Sequence, residues 1–512
     1  MSVSAADTIA PLERSLLTVC VMMATIMQAL DTTIANVALP YMQGSLSTTQ
    51  DQVNWVLTSY IVAAAIMTSP LGWMAMRIGR KKLFIVCTAG FTVASMLCGM
   101  SQSLTQIVLF RILQGAFGAA LVPLSQSVLL SINPPERQGS AMAMWGVAVM
   151  AGPVLGPVLG GWLTEDYTWR YVFYINVPIG ILCFLGLRTF LADTPSNANE
   201  KLDWFGFGAL SLGIGAAQVA LDRGEQLDWF GSGEIIIEAI IAASAFYLFL
   251  VHTFTAQEPF VRPGLFRDRN FTAGTIFVAV VGLTYYASLA LQPPYLQTLM
   301  NYPIVTAGLV LGPRGVGTMA AMLIVGRLIG RVDTRLLLAF GLALSAWAFY
   351  AMTGWTPDVS QTTIVWVGVV QGIGLGFLFV PLSTVTLATL SAEQRTAGAG
   401  FYNLSRNIGS SVGISVVNAL LTRNTQVNHA EIAEHVTAVN RVFETPSVTE
   451  FWNPLTAAGR AALDAMITQQ AQIIAYIDDY KLLMIATLAV IPLLIVFKKT
   501  SGGSADHTLA ME

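Results

Sequence analysis

The 512-residue sequence predicts an all-α polytopic membrane protein, with fourteen transmembrane helices arranged as two related six-helix bundles and two additional helices between them. Three observations carry that reading. Apolar residues make up 54% of the chain and charged residues 11%, whereas soluble proteins carry about 25% Asp, Glu, Lys and Arg. Fourteen apolar stretches succeed one another, each near the roughly 20 residues that a helix needs to cross a bilayer core. The two ends of the chain also repeat short motifs at nearly constant spacing.

In order, the stretches run over 15–39, 52–75, 83–101, 104–131, 140–163, 171–191, 205–221, 234–256, 271–299, 304–325, 336–353, 363–390, 397–421 and 481–497. The apolar run after Arg14 is too long for a signal-peptide core and has no small-residue cleavage site before Asp31, so it is expected to be a retained first span. Lys and Arg set the orientation, because short cytoplasmic loops collect them. With the N-terminus inside, 17 of the 26 fall in cytoplasmic segments, six in outer loops, and three (Arg111, Arg314 and Arg406) within spans. Both termini are therefore expected to be cytoplasmic. Two outer segments are long, Asp222 to Gly233 and about Thr422 to Tyr480. Within the second, 461–476 fits either a short amphipathic helix lying at the outer surface or an irregular loop.

The repeat divides the chain. Gly72, Met74, Arg77, Ile78 and Lys81 recur as Gly326, Leu328, Arg331, Val332 and Arg335, an offset of 254. Gln114-Gly115 recurs as Gln371-Gly372 at 257, and Pro123-Leu124-Ser125 as Pro381-Leu382-Ser383 at 258, where Arg137 also pairs with Arg395. This gives an N-terminal bundle in 1–195, the inserted pair in 196–270 and a C-terminal bundle in 271–512. Two repeated halves with a site at their interface is the plan of a secondary transporter that rocks one half against the other.

Several function classes are disfavoured. A net charge of -3 offers no nucleic-acid-binding patch. Cys20, Cys87, Cys98 and Cys183 sit singly in apolar runs, and the four histidines have no metal-ligand spacing. No G-x-x-x-x-G-K-[ST] phosphate loop occurs, so pumping must draw on an ion gradient or another subunit. No cofactor is expected beyond a proton gradient as the energy source.

Asp31 is the one acidic residue deep within the first twelve spans. An ionised carboxylate at mid-bilayer costs about 2.5–3.5 kcal/mol on insertion scales, and such groups mark proton or substrate routes, unless they merely pair with an Arg or cap a broken helix. Arg111 lies seven residues into the fourth span. Its guanidinium stays protonated, so it cannot carry the proton but can tune a neighbouring carboxylate, or it can snorkel or cap backbone. Gly152, Pro153, Gly156, Pro157, Gly160 and Gly161 line the fifth span at four-residue spacing, which permits close helix approach and bends. Arg314 and Arg406 leave three interior Arg against one Asp, an interior suited to weakly acidic, lipophilic substrates. Gln28, one helical turn before Asp31, is a further candidate substrate contact.

The residues also resemble a family. The segment "GWMAMRIGRKKLF" (72–84) is similar to the loop signature between spans 2 and 3 of the major facilitator superfamily. "LDTTIANVALP" (30–40), "RILQGAFGAALVP" (111–123) and "GPVLGPVLGG" (152–161) resemble motifs of its fourteen-span drug:proton antiporters, and "WRYVFYINVPIG" (169–180) and "LDRGEQLDWF" (221–230) resemble the EmrB-type multidrug exporters. The resemblance implies the major facilitator fold and proton-coupled antiport of hydrophobic drugs. It further implies a multi-pass protein of the bacterial inner membrane, working with an EmrA-like periplasmic membrane-fusion adaptor and a TolC-like outer-membrane channel. It ties Arg111 to proton transfer, makes Gly72, Arg77, Gly79 and Arg80 a conformational motif, and places the glycines of the fifth span at the seam between halves. Met76 stands where the superfamily signature usually has Asp, so a charge relay through that loop cannot be carried over. An exporter of one endogenous metabolite and a non-transporting receptor are the alternatives; a receptor has no need of a titrating Asp31.

Overall fold

Within hydrocarbon, backbone N–H and C=O groups find no water, so a spanning segment must satisfy them itself, and the apolar stretches do so as α-helices. The computed structural model describes residues 10–497 apart from 195, 198–200, 258, 262, 392–393, 438–439 and 446–450. Its N-terminal half comprises α1 (Pro11–Ser45), α2 (Trp55–Thr68), α3 (Leu71–Ile78), α4 (Arg80–Met100), α5 (Leu104–Gly118), α6 (Leu121–Ile132), α7 (Pro135–Asp166), α8 (Tyr171–Tyr174) and α9 (Asn176–Phe190). The central pair is α10 (Trp204–Arg223) and α11 (Gly233–Thr255). The C-terminal half comprises α12 (Arg269–Pro294), α13 (Ile304–Leu328), α14 (Thr334–Met352), α15 (Gln361–Ala388), α16 (Gln394–Glu434) and α17 (Ala457–Ala489). Among the described residues, ten helical runs are long and apolar enough to cross a membrane, counting α5 with α6 and α8 with α9 as single runs. An eleventh is the pair α2 and α3, bent by 58° at Pro70, which has no N–H to continue the ladder. α7, α16 and the end of α17 cover the remaining predicted spans.

Lipid tails are as apolar as Leu, so helices in a bilayer associate through close packing of small residues and internal hydrogen bonds. The two halves meet in this way at the end that carries both chain termini. A Cβ on Gly72 would fall 2.5 Å from Ala397 Cβ, and one on Gly326 2.5 Å from Ala143 Cβ. Trp145 stacks on Phe379 with ring centroids 5.6 Å apart, and the Ser127 and Thr396 hydroxyls lie 2.9 Å apart. The central pair joins both halves through α10. Thr58 of α2 donates to the Asp222 carboxylate, while Ser411 and Ser415 of α16 donate to Gln218 Oε1 (2.8 Å) and the Leu221 carbonyl (2.7 Å).

Two expectations are corrected. Gly152, Gly156 and Gly160 of α7 are not at the seam between halves, which α7 reaches instead through Gly139 and Gly146; they face α1 inside the N-terminal bundle. A Cβ on Gly152 would sit 2.2 Å from the Ala29 carbonyl oxygen, and one on Gly156 2.1 Å from Thr33 Oγ1. Thr33 Oγ1 donates to the Gly152 carbonyl at 2.9 Å. Gly160 packs on Ile34, and Gly161 has nothing near it; the side chains of Pro153 and Pro157 lie outside the described residues. The second correction concerns 422–480: its run 461–476 is helical, but as the first part of α17 packed along α16 and not as a separate short helix. α16 continues unbroken to Glu434 and α17 begins at Ala457, so the two spans extend past their apolar parts as an antiparallel hairpin. His429 Nε2 meets Asp464 Oδ1 across it at 3.0 Å. The other long segment, 222–233, is a tight reversal containing a 3-10 turn over Trp229–Gly231, with Arg223 ion-paired to Glu234.

Candidate functional site

The α1–α7 glycine contact brings α1 deep into the N-terminal bundle and leaves Asp31 fully buried, with Arg111 of α5 at 1% exposure beside it. Arg111 Nη1 approaches Asp31 Oδ2 at 2.7 Å. Gln114, one turn farther along α5, donates from Nε2 to Asp31 Oδ1 at 2.7 Å, and Asn176 at the start of α9 donates from Nδ2 to the same oxygen at 3.2 Å. The guanidinium is held from other sides as well. Its Nε donates to the Val56 carbonyl (3.0 Å), Nη1 also reaches Gln114 Oε1 (2.9 Å), and its plane lies 4.1 Å from the Tyr60 ring centroid. Asn176 in turn donates to Ser95 Oγ of α4 at 3.0 Å. One carboxylate thus ties together α1, α5 and α9, with α2 and α4 behind them.

A buried ion pair holds only if its remaining lone pairs and protons are satisfied. Here the second carboxylate oxygen has two amide donors, so the ionised form of Asp31 is fully dressed. Adding a proton removes the counter-charge of Arg111 and places a hydroxyl where the surrounding groups are nearly all donors. The network is therefore sensitive to a single proton, and every helix it ties together feels the change.

Of the remaining sequence candidates, Gln28 donates to the Tyr60 hydroxyl at 3.4 Å, which puts it at the edge of the same cluster. Arg314 and Arg406 lie in the C-terminal half, away from Asp31. Gly72 packs on Ala397, and Arg77 lies against the Trp73 ring. Gly79 takes φ +86°, a left-handed value that costs Gly little. The loop after α9 closes over this turn: Asn197 N–H donates to the Met76 carbonyl (2.8 Å), Arg80 N–H to Thr194 Oγ1 (2.7 Å), and Lys81 reaches Asp193 at 3.7 Å. Backbone bonds and Asp193 thus anchor the turn in which Met76 replaces the usual acid.

The C-terminal half repeats the geometry with altered chemistry. Gln371, which repeats Gln114 at the sequence offset of 257, donates from Nε2 to Ser288 Oγ at 3.0 Å, as Gln114 donates to Asp31. A Cβ on Gly115 would strike the Tyr60 carbonyl oxygen at 2.4 Å, and one on Gly372 the Arg314 carbonyl oxygen at 2.1 Å. A serine hydroxyl stands in place of the carboxylate as the partner of this glutamine, and the buried cation, Arg314, stands where the first half has Tyr60. Arg314, 3% exposed, donates to Gln292 Oε1 (2.8 Å), lies 4.6 Å from the Tyr285 ring centroid and interacts with the Tyr285 hydroxyl; its Nε and Nη2 have no well-aligned acceptor among the described residues. Arg406 Nε and Nη1 also lack partners. Two small cavities share Val281, Tyr285 and Leu375; one reaches Gln371 and the other Arg406.

Sequence reading missed Asn176, whose signal was a lone amide inside the apolar run "YINVPIG". It gave Gln114 no contact with Asp31. It also missed a second buried carboxyl, Asp479 at 1% exposure, because α17 begins well before the apolar stretch 481–497. Three interior Arg are therefore set against two Asp, not one.

Residues 21–414 match the model of the Major Facilitator Superfamily. The chain is 35% identical over 468 residues to "Multidrug export protein EmrB" of Escherichia coli K12, covering 90% of each chain. It is 37% identical over 416 residues to "Fatty acid resistance protein FarB" of Neisseria gonorrhoeae, covering 81% of this chain and 82% of that one. Among solved structures, the human organic anion transporter MFSD10 superposes with a TM-score of 0.59 at 15% identity, over 93% of this chain and all of that one, a likeness of fold. The chain belongs to the major facilitator superfamily of membrane transporters, on its EmrB-type branch.

Proposed function

We propose that this superfamily member is a proton-coupled exporter of hydrophobic toxic compounds, drugs included, with a preference for those bearing a weakly acidic or anionic head. The observation that carries the coupling is the Asp31–Arg111 pair, with Gln114 and Asn176 as further donors to the same carboxylate. Protonation of Asp31 breaks the tie between α1 and α5 and loosens α1 against the glycine face of α7. Deprotonation restores both, and alternation between the two rocks one half against the other. The relatives named for multidrug export and fatty acid resistance support the efflux reading.

The substrate preference rests on Arg406, two of whose guanidinium nitrogens have no acceptor among the described residues and which lines a small cavity with Val281, Tyr285, Leu375 and other apolar or aromatic residues, and on Arg314, buried against the ring of the same Tyr285. Gln28, at the rim of the proton site, is placed to meet substrate from the N-terminal half. In this reading the protein sits in the bacterial inner membrane with both termini cytoplasmic, an orientation that the Lys and Arg distribution supports. It hands substrate to a periplasmic EmrA-like adaptor and a TolC-like channel, and the α16–α17 hairpin is the extramembrane feature long enough to hold the adaptor.

The test is substrate-induced proton release from reconstituted vesicles, across cationic, neutral and weakly acidic lipophilic compounds. Weak acids should release protons from the parent and not from Asp31→Asn. Release undiminished in Asp31→Asn overturns the coupling site, and equal release with cations overturns the preference.

A further inference from the structure

Asp479 does not belong to the site described above. It lies near the point where the α16–α17 hairpin enters the C-terminal bundle, 1% exposed, and neither carboxyl oxygen has a hydrogen-bond donor. Its surroundings are aromatic. Tyr295 meets Tyr476 edge-on with centroids 5.2 Å apart, and Trp355 lies 5.8 Å from Tyr295 and 5.9 Å from Tyr480. The Tyr295 and Tyr480 hydroxyls and the Trp355 indole N–H also lack partners. Native proteins rarely leave several buried polar groups unmet in one place, and each such group calls for an explanation.

Among the described residues, no cation pairs with the carboxyl. On its own helix it feels Asp478, which is already paired with Lys481 at 3.2 Å, together with Tyr476 and Tyr480. From the turn after α12 comes Tyr295. From α13, Arg314 acts on Tyr480. On α14, Tyr350 is exposed. The register set by His429 and Asp464 places the apolar stretch around Ile414 of α16 opposite. An ionised carboxylate so placed would be buried without compensation, and groups in that position neutralise instead, so this packing holds Asp479 as the neutral acid.

The neighbouring backbone departs from a regular α-helix. α12 ends on Pro293 and Pro294, and Tyr295–Leu299 continue as a π-helical turn, a feature that recurs at functional sites. Tyr295 lies on that turn, so a shift of the outer end of α12 carries it away from Tyr476 and opens the cluster to water.

We infer that Asp479 is a second proton-binding group: it holds a proton while the outer end of the C-terminal bundle is packed, and releases it to outer water when α12 and α17 separate there. Closure of the outer end then requires reprotonation, so the outer proton concentration governs that step as well as the charge state of Asp31. The inference rests on the proton-coupled reading proposed above and adds to it a proton site in the C-terminal half, where Gln371 meets Ser288 and not a carboxylate.

The experiment uses the full chain in lipid vesicles, as parent, Asp31→Asn, Asp479→Asn and Asp479→Glu. Infrared spectra at neutral pH should show a protonated carboxylic acid band in the parent and in Asp31→Asn that Asp479→Asn loses and Asp479→Glu regains, shifted. Efflux of a lipophilic weak acid should be lost in Asp31→Asn. In Asp479→Asn, where the amide mimics the neutral acid, efflux should persist but lose the dependence of its rate on outer pH at fixed gradient, and Asp479→Glu should restore that dependence. An unchanged band in Asp479→Asn, or a parental pH profile in that variant, overturns the assignment of Asp479 while leaving Asp31 standing. Full gradient-driven efflux by Asp31→Asn sinks the coupling reading instead.

Discussion

Asp31 and Arg111 form the pair whose removal can be worked through most completely. Asparagine at position 31 keeps the volume but exchanges an acceptor oxygen for an amide that donates. Arg111 then retains the Val56 carbonyl and Gln114 Oε1 but loses its counter-charge at 2.7 Å, and the new N–H₂ faces donors from Gln114 or Asn176. Removing one member of a buried ion pair costs about 3–5 kcal/mol, because the other charge is left uncompensated, whereas replacing both by uncharged groups is about neutral. Asp31→Asn and Arg111→Leu should each be strongly destabilised. The double variant should recover about 3 kcal/mol or more relative to the sum of the singles, roughly a hundredfold in the unfolding equilibrium. A double-mutant cycle of detergent-driven unfolding measures this term directly, with vesicle transport run in parallel. All three variants should lose gradient-driven efflux, so restored folding in the double variant separates a structural loss from a functional one. Additivity within about 0.5 kcal/mol, the behaviour of independent sites, would refute the claim that the two groups compensate one another.

A Cβ at Gly152 collides with the Ala29 carbonyl, so Gly152→Ala should push α1 from α7, cost about 1–3 kcal/mol as overpacking does, and lower both melting temperature and transport. Gly161→Ala, into open space, should change stability by less than about 0.5 kcal/mol. Replacing 424–470 with a short Gly/Ser linker should spare proton exchange in vesicles yet abolish adaptor co-purification and protection of cells; normal adaptor binding would move the docking surface elsewhere. Burial pushes the Asp203 carboxyl upward, but the Gly206 and Phe260 N–H groups and the His252 ring outweigh it and hold it below the usual carboxylate range. Its folded-state pKa being depressed, its contribution is present above the unfolded value of about 3.9 and is lost as pH falls through the folded value. Asp203→Ala should cost about 0.5–2 kcal/mol at neutral pH as a lost helix cap, and the difference from the parent should shrink on acidification below about pH 4; a pH-independent difference would refute the charge argument.

Composition and apolar length determined that the chain crosses a membrane and where, because lipid forces each spanning segment to satisfy its own backbone. Internal repetition announced two bundles, and the contacts of Gly115 with the Tyr60 carbonyl and of Gly372 with the Arg314 carbonyl repeat one another. The cost of burying charge in lipid singled out Asp31 and Arg111 for the same reason. Sequence could not decide what each buried group touches. Asn176 lies 145 positions from Asp31, and only the packing of α9 on α1 and α4 brings it to the carboxylate. Spacing showed that Gly152, Gly156 and Gly160 share a face of α7, but which helix that face meets is a matter of bundle geometry, and it is α1 of the same half. Hydropathy likewise ends a span where polar residues begin, whereas a helix continues as long as a neighbour packs against it. The hairpin of α16 and α17 is thus invisible to composition, and with it the burial of Asp479.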